Sequence, residues 1–296
     1  MFGGRIVAER LDGRACAEGL ESELIERITA LSEDGVSPHL VVVIVGDDPA
    51  SKTYVSAKQA ACQRLGLKST RHSLPVETTQ EELLELIVSL NQDDSVHGIL
   101  VQSPLPESID ELQVTDAIDP RKDVDGFHPV NLGKLVQGRS DALLPCTPSG
   151  IIRMLRWAEV ELSGKRVVVI GRSRIVGMPL SLMLAARGVD ASVSVVHSRS
   201  EDIEGICRTA DVLIAAVGRP SLVSVDWVKP GAVIIDVGVN RVDDENHERG
   251  WYLAGDVHPE VASVASKLSP VPGGVGPMTI ACLMANTVTA AENLSV

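Results

Sequence analysis

Short apolar runs alternate with longer amphipathic stretches through the first part of the chain. The run Leu40–Val45 is apolar throughout and β-branched, which predicts a buried strand. Further strands are predicted at 69–73 and 98–101, and helices at 49–66, 79–90 and 108–118. Strands that alternate with helices are typical of βαβ units and a parallel sheet.

A second series of the same kind follows after a segment rich in Pro, Gly and Asp. Its strands are predicted at 167–170, 191–196, 211–217 and 232–237. The intervening segment 119–150 is the best candidate for a domain junction and a cleft. We therefore predict an α/β protein with a first domain over 1–124 and a second over 125–279. A polar loop is expected at 240–250, and the terminal helix at 280–296 is expected to pack back on the first domain.

Composition narrows the class of protein. The 296 residues carry a formal net charge of −13 and only 2% aromatic residues. Nucleic-acid partners are not expected, because phosphate backbones require clustered Lys and Arg. A membrane partner is not expected either, because no apolar run approaches the ~20 residues of a bilayer crossing. The start of the chain, Met1–Arg5, has no signal-peptide core. The five scattered cysteines suggest reduced thiols, a cytoplasmic location and no metal site.

The segment after the first strand of the second series has the composition of a phosphate-binding turn. Gly171, Ser173 and Gly177 follow the apolar run that ends at Ile170. Small residues let the backbone approach a pyrophosphate, and the following helix offers free N–H groups. The spacing departs from G-x-G-x-x-G, since Ser173 replaces the second glycine and Gly177 comes one residue late. An ordinary strand-to-helix turn is the alternative.

The end of the next predicted strand favours NADP over NAD. NAD sites place an acidic residue there to hold a ribose hydroxyl. Here Val196 leads into His197, Ser198, Arg199 and Ser200, and no acid occurs before Glu201. Arg172 and Arg174 would add positive charge for a 2′-phosphate. The alternative is that these arginines are solvated loop charges.

Tyr54 and Lys58 share one face of the helix predicted at 49–66, since they are four residues apart. An exposed Tyr–Lys pair is one interpretation. The other is a lysine that lines a cleft beside an aromatic ring, where partial desolvation suits it to proton transfer near neutral pH. Gln102 follows the strand predicted at 98–101, at the end where ligands bind in open α/β sheets. Its amide could hold the lysine in place.

Two loops have compositions that are typical of segments lining a ligand-binding site. Asp123 and Asp125 lie in Lys-Asp-Val-Asp-Gly, where Asp123 could brace the turn and Asp125 could accept hydrogen bonds from ligand N–H groups. The loop 272–277 is too rich in Pro and Gly for a helix or an inner strand. It is expected to be a rigid wall with exposed amides, or else a plain entry to the last helix.

Taken together, these segments resemble the bifunctional methylenetetrahydrofolate dehydrogenase/methenyltetrahydrofolate cyclohydrolase family over almost the whole chain. The resemblance rests on the following motifs: Tyr-Val-Ser-Ala-Lys at 54–58, Gly-Ile-Leu-Val-Gln-Ser-Pro-Leu-Pro at 98–106, Lys-Asp-Val-Asp-Gly at 122–126, Pro-Cys-Thr-Pro at 145–148, Gly-Arg-Ser at 171–173 with Ile-Val-Gly at 175–177, Asp-Val-Gly at 236–238 and Pro-Gly-Gly-Val-Gly-Pro-Met-Thr at 272–279. Their order and number make a chance match very improbable.

The resemblance implies two α/β domains flanking a cleft, the second a Rossmann-type NADP-binding domain. It also implies oxidation of 5,10-methylenetetrahydrofolate by NADP and hydrolysis of the product to 10-formyltetrahydrofolate, within one-carbon metabolism and purine biosynthesis. A cytoplasmic homodimer is the expected assembly.

The resemblance also assigns residues. Lys58 matches the catalytic lysine, Gln102 the residue that tunes it, Tyr54 the aromatic that stacks on the substrate, and Asp125 the acid that binds the pterin. Ser51 is a weaker candidate for the same pocket. The remaining folate contacts expected are Val101, Ser103, Pro272, Gly273, Gly274, Gly276 and Pro277. The NADP contacts expected are Gly171, Arg172, Ser173, Ser198 and Val239.

The chain departs from the family pattern at Ser103, where leucine is usual, and mildly at Ser200, where threonine is usual. Ser103 could make the folate pocket more polar. Two other readings stay open: a shikimate-dehydrogenase-like enzyme with the same two-domain plan, and a folate- or NADP-binding protein without turnover.

Overall fold

The computed structural model of this protein describes residues 7–295 as alternating strands and helices. The helices are α1 (Gly13–Glu33), α2 (Pro49–Leu65), α3 (Gln80–Gln92), α4 (Glu111–Ala117), α5 (Pro129–Val136), α6 (Cys146–Trp157), α7 (Gly177–Ala185), α8 (Ile203–Cys207) and α9 (Val275–Leu294). The strands are β1 (Glu9–Arg10), β2 (His39–Val45), β3 (Lys68–Leu74), β4 (Gly98–Val101), β5 (Arg166–Ile170), β6 (Ser192–Val196), β7 (Val212–Ala215), β8 (Val233–Asp236), β9 (Asn240–Asp243), β10 (Trp251–Ala254) and β11 (Lys267–Leu268). The prediction made for Met1–Arg5 lies outside the described residues. Within 7–295, none of the helices combines the length and apolar character that a bilayer crossing requires.

The smaller sheet has three parallel strands in the order β3-β2-β4. Every residue of the central strand β2 is buried, which explains its continuous apolar sequence. Gly98 at the start of β4 permits close packing, because a Cβ there would lie 2.7 Å from Val124 Cγ1. Gln102 leaves the carboxyl end of β4, and its N–H donates to the Val43 carbonyl at 2.8 Å.

The larger sheet has six parallel strands in the order β1-β11-β8-β7-β5-β6. The chain passes from β5 to β6 on one side and returns to β7 on the other. This reversal at β5 is the point where ligands bind in doubly wound sheets. The two-residue strand β1 joins the sheet through β11 and was not predicted, since Glu9 and Arg10 have no apolar pattern.

The chain divides into two compact units. One contains the residues up to Ala17 together with Thr147–Thr279, and the other contains Glu18–Cys146 together with the residues from Ile280 onward. The limit near the predicted domain boundary falls after Cys146, whereas the sequence predicted it between 124 and 125. The reason is that Asn286 Nδ2 donates to the carbonyls of Val124 and Leu144 at 2.8 and 2.9 Å, which ties this segment to α9.

The segment 119–150 contains helices that its Pro and Gly content concealed. Helix α5 begins at Pro129, where a missing N–H has no cost, and the His128 ring accepts from Val130 N at 3.1 Å. Helix α6 begins at Cys146, directly after Pro145. Proline therefore marks the start of a helix in this segment.

Two further predictions were wrong in part. Residues 240–250 were expected to form an exposed loop, and 244–250 do so, but 240–243 form β9, which pairs antiparallel with β10 in a hairpin; the Arg241 guanidinium stacks 5.0 Å from the Trp251 ring. The loop 272–277 was expected to contain no helical residues, but α9 begins at Val275. Its first turn includes Gly276 and Pro277, because first-turn N–H groups need no intrahelical acceptor.

Two histidines are buried side by side where β2 and β4 of the smaller sheet begin. His39 N donates to His97 Nδ1 at 3.2 Å, and the His39 ring contacts the Ser95 carbonyl and Thr70 Oγ1 at 3.0 and 2.9 Å. Burial lowers the pKa of both imidazoles. Protonation of His97 Nδ1 would also remove the acceptor for His39 N.

We expect this pair to make the protein less stable in acid. Each ring has a lower pKa folded than unfolded, so the unfolded chain binds more protons as the pH falls below about 6.5. The free energy of unfolding should therefore fall with a slope of up to about 1.4 kcal/mol per pH unit for each histidine. Urea titrations between pH 8 and pH 5.5 measure this slope.

The His97→Asn variant isolates the effect, because its Oδ1 can still accept from His39 N without titrating. It should flatten the slope, while His247→Asn on the exposed hairpin should not. Asp125 and Asp236 have raised pKa values, so they increase the free energy of unfolding as the pH falls. The test is therefore the difference in slope between His97→Asn and the wild type, which share these two groups. An unchanged slope in His97→Asn would contradict the prediction.

Candidate functional site

An amine and an amide meet beside the smaller sheet. Lys58 Nζ donates to Gln102 Oε1 at 2.9 Å, and Lys58 is half-buried. Gln102 Nε2 donates to the Ser103 carbonyl at 2.6 Å, so the amide can turn only its oxygen toward the lysine. The predicted pairing of Lys58 with Gln102 is therefore present, and the amine does not lie in bulk water.

Helix α2 presents Lys58 because both of its ends are fixed. Asp48 caps the first turn by accepting from Ser51 N at 2.7 Å, and Gly66 ends the helix in the left-handed region with φ +78°. Ser51 itself is buried in that first turn. Tyr54 lies one turn before Lys58 and is 42% exposed, although burial of its phenol raises the Tyr54 pKa. An exposed ring next to a half-buried amine is suited to stacking on a flat ligand.

Two buried charges shape the loop that carries Asp125. The Lys122 ammonium donates to the carbonyls of Leu90, Asn91 and Asp93 at 2.8 to 3.1 Å. The Asp123 carboxylate accepts from four donors: the backbone N–H groups of Gly126, Phe127 and His128, and Asn131 Nδ2. Asp123 thus braces the turn, which was one of the roles expected for it. Gly126 is required there, because its φ is +77° and a Cβ would lie 2.4 Å from the Leu144 carbonyl carbon.

Asp125 is partly buried next to this brace. Burial raises the pKa of its carboxyl, the Lys58 charge opposes that rise, and the neighbouring Asp123 charge adds to it. A carboxylate in this position can accept hydrogen bonds from the N–H groups of a ligand. The unit that contains α2 and β4 therefore brings Lys58, Gln102 and Asp125 into one electrostatic environment.

Ser103 has an acceptor that the sequence did not predict. Its hydroxyl donates to the Glu111 carboxylate at the start of α4, and Ser103 is exposed. Val101 at the end of β4 packs against the apolar core of the same unit. The Ser103 hydroxyl is thus satisfied by the Glu111 carboxylate. Only the fold brings these two residues together, since the motif at 98–106 ends before Glu111 and does not indicate this contact.

The phosphate loop of the larger sheet fits an anion. Gly171 has φ +117°, and a Cβ there would lie 2.3 Å from the Ala216 carbonyl oxygen. A Cβ on Gly177 would lie 2.1 Å from the Gly171 carbonyl oxygen, so both glycines are required by close backbone approach. Ser173 Oγ accepts from the N–H groups of Val176 and Gly177 at 3.2 and 3.3 Å. Its own O–H is then available to donate to a phosphate, and Arg172 is exposed beside it.

The turn after β6 carries no acid. Ser200 Oγ accepts from His197 N at 3.1 Å, and Arg199 N donates to the His197 ring at 3.2 Å. Ser198 and Arg199 are exposed at this turn. A hydroxyl and a guanidinium fit a 2′-phosphate, whereas an NAD site would carry a carboxylate. The residues present therefore fit NADP.

The remaining predicted residues lie in the same unit as the phosphate loop. Val239 follows β8 and is 44% exposed. Pro272, Gly273 and Gly274 connect β11 to α9, and Gly13 N donates to the Gly273 carbonyl at 3.1 Å. Lys58, Gln102 and Asp125 belong to the other unit. The predicted folate contacts are thus distributed over both units.

The described chain matches two family models. The catalytic domain of tetrahydrofolate dehydrogenase/cyclohydrolase matches residues 11–125, and the NAD(P)-binding domain of the same family matches residues 145–295. Among curated proteins, the bifunctional protein FolD of Acetivibrio thermocellus is 49% identical over 286 residues, covering 96% of this chain and 97% of that protein. The chloroplastic bifunctional protein FolD 4 of Arabidopsis thaliana is 48% identical, covering 99% of this chain and 81% of that protein.

Solved structures agree with these matches. The bifunctional FolD enzyme of Campylobacter jejuni has a TM-score of 0.91 at 46% identity, with 97% of this chain and 99% of that chain covered. The Trypanosoma brucei FolD enzyme, solved with NADP cofactor and an inhibitor, also has a TM-score of 0.91, at 40% identity and with 97% and 98% covered. Shikimate dehydrogenase of Aquifex aeolicus, at 14% identity and a TM-score of 0.52, shares the fold alone. The chain belongs to the tetrahydrofolate dehydrogenase/cyclohydrolase family.

Proposed function

We propose that the half-buried amine of Lys58, held by Gln102, serves two consecutive reactions on one folate. The chain oxidises 5,10-methylenetetrahydrofolate with NADP and hydrolyses the methenyl product to 10-formyltetrahydrofolate. The observation that carries the proposal is the 2.9 Å bond from Lys58 Nζ to Gln102 Oε1, in a unit where the Lys58 charge acts on Asp125.

Each of the predicted folate residues has a proposed contact. We propose that Tyr54 stacks on the aminobenzoyl ring, because its ring is exposed one turn before Lys58. Asp125 would accept hydrogen bonds from the pterin. Val101 and Ser103 would contact the substrate from the end of β4, and the loop with Pro272, Gly273, Gly274, Gly276 and Pro277 would supply backbone contacts.

The hydrolysis requires water and proton transfer more than a nucleophilic side chain. Water adds to the electrophilic methenyl carbon and loses one proton, which gives a neutral hydroxyl adduct. The bond from that carbon to N5 then breaks while the hydroxyl loses its proton to form the formyl C=O and N5 takes up a proton, so that one proton is released overall. Lys58 would transfer these protons. Gln102 fixes the amine and contributes no charge, since its amide is neutral.

NADP, when bound, accepts the hydride that leaves the bridging methylene carbon. The backbone at Gly171 and the O–H of Ser173 would hold the phosphates, and Arg172 and Ser198 would hold the 2′-phosphate. Val239 would contact the nicotinamide end through its backbone.

A cytoplasmic homodimer stays a prediction. A protein that binds folate or NADP without turnover is the alternative, and it would show affinity with no absorbance change on mixing.

We expect Lys58→Met to abolish the hydrolysis and to leave NADP affinity unchanged. Loss of the proton-transferring group should lower the cyclohydrolase rate by at least about 100-fold. The rate is measured by the absorbance of methenyltetrahydrofolate, and NADP affinity by calorimetry. Lys52→Met on the same helix is the matched control, because Lys52 pairs with Asp47 at 2.7 Å and not with Gln102. Ring opening well above the uncatalysed rate in Lys58→Met would remove Lys58 from this role.

We expect Arg172→Ala to weaken NADP far more than NAD. One charged hydrogen bond to a phosphate contributes about 1.5–3 kcal/mol, which corresponds to a rise in the NADP Kd of roughly 10- to 100-fold. The two Kd values are compared by titration of nucleotide fluorescence. Arg187→Ala, an exposed arginine just beyond the other end of α7, should change neither Kd. Equal weakening of NADP and NAD would mean that Arg172 does not contact the 2′-phosphate.

A further inference from the structure

Two carboxylates without a basic partner are buried beside the larger sheet. Asp236 is 4% exposed and Asp256 is fully buried. Among the described residues, neither forms an ion pair with a Lys or Arg side chain; both are satisfied by N–H donors. Burial of a charge is costly unless hydrogen bonds compensate it, so these two carboxylates hold their N–H donors firmly in position.

Asp256 ties together two loops that follow neighbouring strands. Its Oδ2 accepts from Val217 N and Gly218 N at 2.7 and 3.0 Å, in the loop after β7. Its Oδ1 accepts from Arg219 N at 2.8 Å in the same loop and from Asn240 Nδ2 at 2.9 Å, at the start of β9. The loop after β7 is thereby fixed against the segment that follows β8.

Asp236 holds Asp256 and the segment after β8 from the other side. Its Oδ1 accepts from Gly238 N and Asp256 N at 3.0 and 2.8 Å, and its Oδ2 accepts from Val257 N at 3.0 Å. Two glycines make this packing possible. A Cβ on Gly238 would lie 2.1 Å from Asp256 Oδ1, and a Cβ on Gly255 would lie 1.8 Å from Asp236 Oδ2.

The loops fixed in this way lie at the carboxyl ends of adjacent parallel strands, next to the reversal at β5. That edge binds the nucleotide in doubly wound sheets. Val239 lies between Gly238 and Asn240, which are the anchors of Asp236 and Asp256. The Val239 N–H has no acceptor among the described residues, so its peptide is held at both sides and still available to a ligand.

We propose that Asp256, supported by Asp236, is a positioning residue for the hydride step. It holds the loop after β7 and the Val239 peptide in the geometry that receives the nicotinamide amide. This inference rests on the proposed function, because it assumes that NADP binds at this edge of the sheet. It adds a specific site of action, which is the nicotinamide end and not the adenosine end.

A carboxylate is required at position 256 because both oxygens must accept. In Asp256→Asn, one oxygen becomes an NH2 group, which would face either the two N–H groups at 217–218 or those of Arg219 and Asn240. Donors would then oppose donors, and one of the two loops would shift. A displacement of about 1 Å in reacting groups can cost about 100-fold in rate.

The test separates the two ends of the nucleotide. In Asp256→Asn, we expect the kcat of NADP reduction to fall at least tenfold. The Kd of 2′,5′-ADP, which carries the 2′-phosphate and no nicotinamide, should stay within twofold of the wild-type value. Hydrolysis of methenyltetrahydrofolate without NADP should also stay within twofold, because Lys58 and Gln102 belong to the other unit.

Asn240→Ala removes a single donor to Asp256 and provides the milder variant. It should lower the same kcat a few-fold with 2′,5′-ADP affinity unchanged, while Asn246→Ala on the same hairpin should change neither. An unchanged kcat in Asp256→Asn, or a parallel loss of 2′,5′-ADP binding, would overturn the proposal. If Asp256→Asn does not fold, Asn240→Ala decides alone, and an unchanged kcat contradicts the proposal. A wild-type protein that reduces no NADP would instead refute the proposed function.

Discussion

Charges buried in the segments next to the two sheets, each compensated by hydrogen bonds to backbone groups, are the constraint on which both candidate sites depend. Lys122 is satisfied by carbonyls, and Asp123, Asp236 and Asp256 are satisfied mainly by N–H groups. Because an unsatisfied buried charge would cost several kcal/mol, these loops cannot move without a large penalty. These hydrogen bonds therefore fix the conformation of the loops.

The groups that we propose to contact ligands are only partly buried, and buried carboxylates fix the loops of two of them. Lys58, Asp125 and Val239 are accessible, whereas Asp123, Asp236 and Asp256, which hold the loops of Asp125 and Val239, are buried. Asp123 fixes the loop of Asp125, and the Ser103 carbonyl fixes the amide that holds Lys58. Each accessible group thus has its orientation determined before a substrate arrives, which lowers the entropic cost of binding and reaction.

The phosphate loop shows how a departure from a common motif can preserve its physics. Ser173 replaces a glycine, but its hydroxyl accepts from two N–H groups at the start of α7 and still has a proton to donate. The two glycines that remain, Gly171 and Gly177, are those at which a Cβ would collide with the backbone. The motif therefore tolerates a side chain only where space exists for one.

The sequence by itself predicted the buried strands of the two sheets, several of the helices and the family, because burial of apolar positions and the spacing of motifs are local properties. It did not reveal the helices that begin at Pro129 and Cys146, the hairpin at Asn240–Ala254 or the edge strand at Glu9, whose patterns are short or polar. The tertiary structure alone decided that Ser103 meets Glu111 and that Asp256 holds residues 217–219. Those contacts depend on how separate segments of the chain meet, and no local pattern records which distant backbone groups will satisfy a buried charge.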